Sequence, residues 1–352
     1  MILIGGFGTR LRPLTCTRPK ALFPIANKPL LQMIFERLAE SGFDEVILAV
    51  NALTEFHIKQ QRLPKYGLKV KFSRDPPNMP LGTAGPLKRA EKLIGHDAPF
   101  LVLNGDILAD FSYRELWESH REDKAVATIA LHEVEDPSRY GVAELAADNR
   151  IKRFIEKPAR GTAPTKLINA GAYVLSPKIF DYIPSGRAVS MEREVFPKLA
   201  EQNAFYGHEV SGLWIDMGKP EEYLQTNRIV LDALGSTQDT QKKGKFEVKP
   251  PVAIDKGVVI GENSVIGPYA VLGRNVSVGC NAHISDSVVF AGAKIGDFAS
   301  VTGALIGEGV VVGKKTKIVE GCIIADQAKV RDGVALRKGA SVCPAKEICE
   351  DT

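Results

Sequence analysis

The chain has 352 residues, of which 44% are hydrophobic and 25% charged, so it is long enough for two globular domains. Its formal net charge is only +4 and it has no run of basic residues, which argues against a nucleic-acid-binding protein. No stretch approaches a membrane span and no charged-then-apolar signal segment opens the sequence. Five cysteines without a C-x-x-C pair are typical of reduced thiols, so we expect a cytoplasmic protein that contacts neither nucleic acid nor a membrane.

Short apolar runs alternate with amphipathic stretches over residues 1–234. The apolar runs are rich in β-branched residues and predict strands at 2–4, 45–50, 69–72, 100–103 and 125–131. Helical spacing of hydrophobic residues predicts helices at 29–41, 54–61 and 85–93. This alternation favours an α/β fold with a Rossmann-like mixed, mainly parallel sheet. In such sheets the loops at the carboxyl ends of the strands carry function.

A polar segment at 235–245 follows, and we predict that it links a first domain, 1–234, to a second, 246–352. In the second domain aliphatic residues recur every six positions, and several are followed directly by glycine. They are Ile260, Ile266, Leu272, Val278 and Ile284, then, after irregular steps through Ile295, Ile306, Val312, Ile318, Ile324, Val330, Leu336 and Val342. A hexapeptide period predicts a parallel β-helix whose aliphatic side chains point inward and stack.

The segment GGFGTRLRPLT, residues 5–15, comes directly after the first predicted strand. It lacks the third glycine of a Rossmann fingerprint and the Gly-Lys-Ser/Thr ending of a Walker A loop. Two interpretations remain, a tight surface turn with solvated arginines and a phosphate cradle. Three glycines beside a basic cluster favour the cradle, in which bare backbone N–H groups and cationic side chains bind a triphosphate. Its residues would be Gly5, Gly6, Gly8, Arg10, Arg12, Arg18 and Lys20.

The longer run GGFGTRLRPLTCTRPKAL, residues 5–22, resembles the signature of the sugar-1-phosphate nucleotidylyltransferases. These enzymes join a nucleoside triphosphate to a sugar 1-phosphate and release pyrophosphate. PLGTAGPL at 80–87 and WIDMGKP at 214–220 are most similar to the mannose-1-phosphate guanylyltransferases of that family. The resemblance covers nearly the whole chain and implies a left-handed β-helix for the repeat. We therefore expect GTP and mannose 1-phosphate as substrates and GDP-mannose as product.

Two other functions stay open. One is a thymidylyl- or uridylyltransferase that acts on glucose 1-phosphate. The other is a regulatory paralogue that binds a nucleotide sugar without turning it over, although such proteins usually have insertions or losses in the glycine-arginine loop, which is intact here.

The resemblance also implies roles for individual residues. Arg10 and Lys20 are expected to meet the negative charge on the departing pyrophosphate, and Lys157 to neutralise the sugar phosphate. The expected nucleotide-binding residues are Gly5, Gly6, Gly8, Thr9, Gly82 and Thr83. The expected sugar-phosphate-binding residues are Gly141, Glu156, Lys157 and Asn169.

The reaction also needs a metal ion to bridge the phosphates, and Mg²⁺ is the expected cofactor. Asn104-Gly105-Asp106 directly follows the apolar run 100–103, so Asp106 lies at a strand's carboxyl end and is expected to bind the ion, although Asn-Gly-Asp is also a good turn sequence. Asp216 is the second metal ligand that the resemblance implies. We expect the β-helix to serve assembly of a homo-oligomer and not chemistry.

Overall fold

The computed structural model describes residues 1–6, 8–76, 79–235, 241–243 and 245–351. They divide into two compact units, unit 1 from residues 1–6 and 31–215 and unit 2 from 7–30 and 216–352. The boundaries predicted at 234 and 246 stay a prediction. Within the predicted linker, residues 236–240 and 244 lie outside the described residues, and Gln241–Lys243 forms a strand. No helix in the described ranges is both long enough and apolar enough to cross a membrane.

Helices and strands alternate through the first two thirds of the chain. The α-helices of the described ranges are α1 (Leu30–Glu40), α2 (Ala52–Gln61), α3 (Gly85–Ile94), α4 (Tyr113–Asp123), α5 (Phe196–Glu201) and α6 (Pro220–Ala233). The strands of this part are β1 (Ile2–Leu3), β2 (Pro24–Ile25), β3 (Lys28–Pro29), β4 (Glu45–Val50), β5 (Lys69–Arg74), β6 (Phe100–Asn104), β7 (Ile107–Ala109), β8 (Ala127–Glu133), β9 (Gly141–Leu145), β10 (Ile151–Glu156), β11 (Leu167–Leu175), β12 (Phe205–Glu209) and β13 (Trp214–Asp216).

In the described part of unit 1, nine strands form a mixed sheet in the order β10-β9-β11-β6-β1-β4-β5, with β8 beside β11 and β12 beside β8. The pairs from β6 across β1 and β4 to β5 are parallel, and β11 is antiparallel to β6, β8 and β9. Residues 46–50 of β4 are all buried, as expected of a parallel strand covered on both faces. The predicted Rossmann-like mixed sheet is confirmed.

The β-helix of unit 2 consists of short strands that repeat around three faces. They are β14 (Gln241–Lys243), β15 (Phe246–Val248), β16 (Val252–Ile254), β17 (Val259–Ile260), β18 (Val265–Ile266), β19 (Ala270–Leu272), β20 (Ser277–Val278), β21 (His283–Ser285), β22 (Val288–Val289), β23 (Lys294–Ile295), β24 (Ser300–Thr302), β25 (Leu305–Ile306), β26 (Val311–Val312), β27 (Lys317–Ile318), β28 (Ile323–Ile324), β29 (Lys329–Val330), β30 (Ala335–Leu336), β31 (Ser341–Val342) and β32 (Glu347–Ile348). Apart from the antiparallel pair β14–β15, each described strand pairs in parallel with the third strand along the chain. This is the arrangement expected of the predicted left-handed β-helix.

The aliphatic repeat forms the core of this β-helix. All the predicted positions from Ile266 onward are buried, with Val289 and Val301 at the two positions that the six-residue period skips. The steps from Ile284 to Val289 and from Val301 to Ile306 are five residues long, so the coil loses one residue at each of these corners without losing its inward-pointing side chain. The irregular steps in the sequence are therefore shorter corners and not breaks in the fold.

Candidate active site

Residues 8–22, called the signature segment below, lie in unit 2 and fold into three short 3-10 turns, Thr9–Leu11, Leu14–Cys16 and Lys20–Leu22. Gly8 adopts a left-handed conformation (φ 54°), and its carbonyl accepts a hydrogen bond of 2.9 Å from Thr15 Oγ1. The segment is anchored by Leu11 and Leu14, each 1% exposed, while Arg10 is exposed. Its backbone is thus fixed and part of its positive charge faces outward.

Lys20 lies against the last residue of β13, and Arg10 lies against the stretch that follows this strand. Lys20 is almost fully buried, and its Nζ lies 3.5 Å from Asp216 Oδ1. The Arg10 guanidinium covers Gly218 so closely that a Cβ there would lie 2.8 Å from Arg10 Cζ. A cluster of two cations and one carboxylate therefore forms within unit 2 from residues that the sequence separates by about two hundred positions.

Arg18 does not join this cluster, which corrects the expectation that it adds charge to a phosphate cradle. Its guanidinium donates to the Glu308 carboxylate, lies 3.9 Å from Asp326 Oδ2 and stacks over the Phe290 ring at 5.2 Å. Two carboxylates neutralise this side chain and an aromatic ring covers it, so its charge is already balanced by residues of the β-helix.

Unit 1 brings several loops to the carboxyl ends of its parallel strands. Gly5 follows β1, and a Cβ on it would lie 3.0 Å from Oδ2 of Asp75, which follows β5. Gly105 follows β6 and donates from its N–H to the Leu3 carbonyl at 2.9 Å; a Cβ on it would lie 2.9 Å from the same carbonyl oxygen. The end of β1 is therefore lined by backbone, and half-buried Asp106 comes next after Gly105. A Cβ on Gly6 would meet no described atom within 4 Å.

Asp75 has an unusual environment for a carboxylate. Its Oδ1 is buried, and no described residue donates a hydrogen bond to it. Burial raises the pKa of this carboxyl, and the nearby Arg89 charge opposes the rise. A buried acceptor without a donor is costly in a folded protein, so it marks a place where a ligand could supply donors.

A second set of side chains surrounds the hydroxyl of Tyr173 on β11. Asn169 donates from Nδ2 to Tyr173 Oη at 3.1 Å and accepts from the Gly171 N–H at 2.9 Å. Gly171 has a φ of 73° and faces Asn104, whose Nδ2 would lie 2.9 Å from an added Cβ. Burial and the charge of Glu192 raise the pKa of the Tyr173 hydroxyl, so it stays protonated. The bulge in β11 at Asn169 is thereby fixed next to the end of β6.

Gly82 and Thr83 lie against residues 189–192, which precede and begin a π-helical turn, Met191–Val195. A Cβ on Gly82, whose φ is 71°, would clash with the Val189 carbonyl. Thr83 Oγ1 donates to Glu192 Oε2 at 2.6 Å and accepts from the Met191 N–H at 2.8 Å. Glu192 therefore orients Thr83, and single-turn π-helical segments are frequent at functional sites.

Three of the four sugar-side residues predicted from the sequence, Gly141, Glu156 and Lys157, lie together at the end of β10. Lys157 has a φ of 49°, an uncommon conformation for a residue other than glycine and more so for one that precedes proline. Its Nζ lies 3.2 Å from Glu156 Oε1, and its N–H donates to the Tyr140 carbonyl at 3.0 Å. Gly141 leaves room for the Glu156 carboxylate, since an added Cβ would lie 3.0 Å from Oε2. Lys157 is 59% exposed, so its ammonium can reach a ligand.

Comparisons with known proteins identify the family of the chain. The model of the family described as "Nucleotidyl transferase" matches residues 1–233, and that of the "GMPPB C-terminal domain" matches residues 248–352. This chain belongs to the nucleotidyl transferase family. A mannose-1-phosphate guanyltransferase of Yarrowia lipolytica is 40% identical, and mannose-1-phosphate guanylyltransferase 1 of Arabidopsis thaliana is 35% identical; each alignment covers 99% of this chain and 96% of the relative. The crystal structure of HddC from Yersinia pseudotuberculosis complexed with GMP-PN is 30% identical, with a TM-score of 0.55 over 65% of this chain and 97% of that one.

The predicted site residues of this nucleotidyl transferase fall in both units. Unit 1 holds Gly5, Gly6, Gly82, Thr83, Asp106, Gly141, Glu156, Lys157 and Asn169, and unit 2 holds Gly8, Thr9, Arg10, Lys20 and Asp216. Sequence reasoning missed Asp75 and Glu192. Both are acidic residues in short polar runs, and their partners are known only once the chain is folded.

Carboxylates of the kind that magnesium prefers occur in each unit, Asp106 in unit 1 and Asp216 in unit 2. No group of three or more His, Cys, Asp or Glu that could hold a metal by themselves occurs in the described ranges. Mg²⁺ in phosphate-transfer sites is commonly held by one or two carboxylates together with the substrate's phosphates and water. Asp106 and Asp216 supply carboxylates of this kind.

Proposed function

We propose that this chain transfers a guanylyl group from GTP to mannose 1-phosphate and forms GDP-mannose and pyrophosphate. The observation that carries the proposal is the backbone-lined end of β1. In sheet order it lies between the β6 end with Asp106 and the β4–β5 edge with Asp75, and β11 with Asn169 lies beyond β6. The ends of these neighbouring strands present bare backbone, carboxylates and the Asn169 amide. Such a row suits two substrates that bind side by side, a nucleotide and a sugar.

In this reaction an oxygen of the sugar phosphate forms a bond to the α-phosphorus of the triphosphate. The bond from that phosphorus to the bridging oxygen breaks, and pyrophosphate leaves with the electron pair. The protein has little covalent work to do, so it acts mainly by positioning and charge stabilisation. Lys20 and Arg10 stabilise the charge that develops on the departing pyrophosphate, and Lys157 holds the phosphate of the sugar.

Asp106 and Asp216 would hold Mg²⁺, which neutralises phosphate charge when it is bound. Close pairing of Lys20 with Asp216 suits this role, because the lysine holds the half-buried carboxylate in place until the metal and the phosphates bind.

Asp75 supports guanine as the base. Guanine presents N1–H and the 2-amino group as two adjacent donors on one edge, and a carboxylate can accept from both. Asp75 Oδ1 is buried without a donor among the described residues, so guanine would satisfy it. Uracil and thymine each present one N–H between two carbonyl oxygens, and those oxygens would face the carboxylate unfavourably.

The experiment is a pyrophosphate-release assay with Mg²⁺ and each combination of GTP, UTP and dTTP with mannose 1-phosphate and glucose 1-phosphate. We expect the highest kcat/KM for GTP with mannose 1-phosphate. A preference for UTP or dTTP with glucose 1-phosphate would favour the alternative substrates, and absence of turnover with every pair would favour a regulatory paralogue.

Asp75→Asn tests the base assignment, with ITP, which lacks the 2-amino group, as the probe. The wild type should prefer GTP over ITP by about tenfold or more in kcat/KM, because ITP leaves part of the acceptor unsatisfied. The variant should lose most of that preference. Asp148→Asn, at an exposed carboxylate paired with Arg150, is the matched control and should keep the preference for GTP over ITP. A GTP-to-ITP ratio that is unchanged in Asp75→Asn would contradict the assignment.

Self-association through the β-helix also belongs to this proposal. Phe298 and Val259 expose 56% and 66% of their surfaces there, and apolar side chains of this size favour contact with a second copy. Light scattering on the full chain should give a mass of at least two chains, and Phe298→Ser with Val259→Ser should lower it. A monomer at micromolar concentration would contradict this part of the proposal.

A further inference from the structure

Two side chains of the β-helix bind the signature segment within unit 2. Glu308 and Asp326 occupy equivalent corners of successive coils, because β25 pairs with β28 and each residue lies two positions past the end of its strand. Glu308 accepts from the Arg18 guanidinium, and Asp326 Oδ2 accepts from Thr17 Oγ1 at 2.8 Å. We call Thr17, Arg18, Glu308 and Asp326 the loop clamp.

The Phe290 side chain packs beside the loop clamp. It is 1% exposed and directly follows β22, on the coil before Glu308. The Arg18 guanidinium lies over its ring, and the Phe23 ring meets it edge-on with a centroid distance of 5.8 Å. The Arg18 side chain is only 13% exposed, so its charge depends on these partners.

We propose that the loop clamp positions Lys20, so that the β-helix takes part in catalysis and is not only an assembly element. This rests on the role proposed for Lys20. Only Pro19, with a φ of −65°, separates Arg18 from Lys20, so the two residues move together. Groups that stabilise a transition state lose their effect when they are displaced by about 1 Å. Thr17, Arg18, Glu308 and Asp326 are thus positioning residues, and the expectation that the β-helix serves assembly alone is replaced.

Asp326 makes two hydrogen bonds that can be tested separately. Its Oδ1 accepts from the Glu308 N–H at 2.7 Å, which joins two coils at a corner, and its Oδ2 binds Thr17. Asp332 makes the same kind of corner bond, 2.7 Å from the Lys314 N–H to Oδ1, after β29. No hydrogen bond or ion pair joins Asp332 to the described residues of the signature segment. Asp326→Ala and Asp332→Ala therefore both lose a corner bond, but only the first releases the segment.

The experiment compares these two variants in the full chain by hydrogen exchange and steady-state kinetics. Asp326→Ala should increase exchange in peptides from residues 8–22 by about tenfold, and Asp332→Ala should leave those peptides as in the wild type. In the guanylyl-transfer assay Asp326→Ala should lower kcat by about tenfold or more with both KM values within about threefold, since positioning acts on the reacting state. Thr17→Val leaves the β-helix intact, and it should also increase exchange in residues 8–22 and lower kcat.

The outcomes separate the two proposals. Equal exchange of residues 8–22 in Asp326→Ala and Asp332→Ala would overturn the loop clamp. Increased exchange with an unchanged kcat would overturn its role in positioning. If the wild type forms no pyrophosphate, the proposed function fails, while the difference in exchange between the two variants still supports or overturns the clamp.

Discussion

Replacing Lys20 with methionine tests the proposed charge stabilisation directly. The substitution keeps an unbranched side chain in an almost fully buried position and removes only the ammonium, which lies 3.5 Å from Asp216 Oδ1. Two unit charges about 4 Å apart interact by about 4 kcal/mol at an effective dielectric constant near 20. Water that enters in place of the lysine recovers part of this energy. We expect a net loss of about 2.7 kcal/mol of transition-state stabilisation, which is about 10²-fold in kcat.

The assay is pyrophosphate release at saturating GTP, mannose 1-phosphate and Mg²⁺. Lys338→Met is the matched control, because Lys338 also pairs with a carboxylate in unit 2, Glu320 at 2.7 Å, but is 73% exposed. The control should keep kcat, and both variants should keep the circular dichroism spectrum of the wild type. A kcat for Lys20→Met within threefold of the control would refute the reasoning.

Three further predictions concern other residues. Lys157→Ala should raise the KM for mannose 1-phosphate more than the KM for GTP, and Lys166→Ala, at another exposed lysine, is the control. If only the KM for GTP rises, Lys157 contacts the nucleotide and not the sugar phosphate. Asp106→Asn should abolish most activity with an unchanged melting temperature, and near-normal turnover at saturating Mg²⁺ would exclude it as a metal ligand. Burial lowers the pKa of His120 from 6.5 to about 4, so the folded chain holds the neutral imidazole where the unfolded chain would bind a proton. The free energy of unfolding should therefore be unaffected by His120 above pH 6.5 and should fall by about 3 kcal/mol as the pH drops from 6.5 to 4. His120→Gln should flatten the pH dependence of chemical denaturation in that window, and an unchanged slope would contradict the burial argument.

Local patterns predicted the elements well, because the side chains that specify them are neighbours in sequence. The run at Glu45–Val50 is a strand with the predicted bounds, and the helix predicted at 29–41 is observed at Leu30–Glu40. The six-residue period located the inward-pointing residues of the β-helix, since each coil repeats the same local geometry. It missed Val289 and Val301, because a shortened corner leaves the fold intact while it breaks the period.

The candidate site was predicted less completely, because its contacts join distant parts of the chain. Arg18 was grouped with its basic neighbours, yet its partner Glu308 lies 290 residues away. Thr83 and Glu192 are 109 residues apart, and nothing in the short run around Glu192 indicates that its carboxylate accepts from a threonine. The unsatisfied oxygen of Asp75 is likewise a property of the folded chain.

The most direct test of guanylyl transfer follows the label of [α-³²P]GTP during incubation with mannose 1-phosphate and Mg²⁺. The proposed reaction retains the α-phosphorus, so the label should appear in GDP-mannose, and a parallel incubation with [γ-³²P]GTP should place its label in pyrophosphate. Both products should form at equal rates. Label from [α-³²P]GTP that is found only in GMP or GDP, or that stays in GTP, would contradict the account.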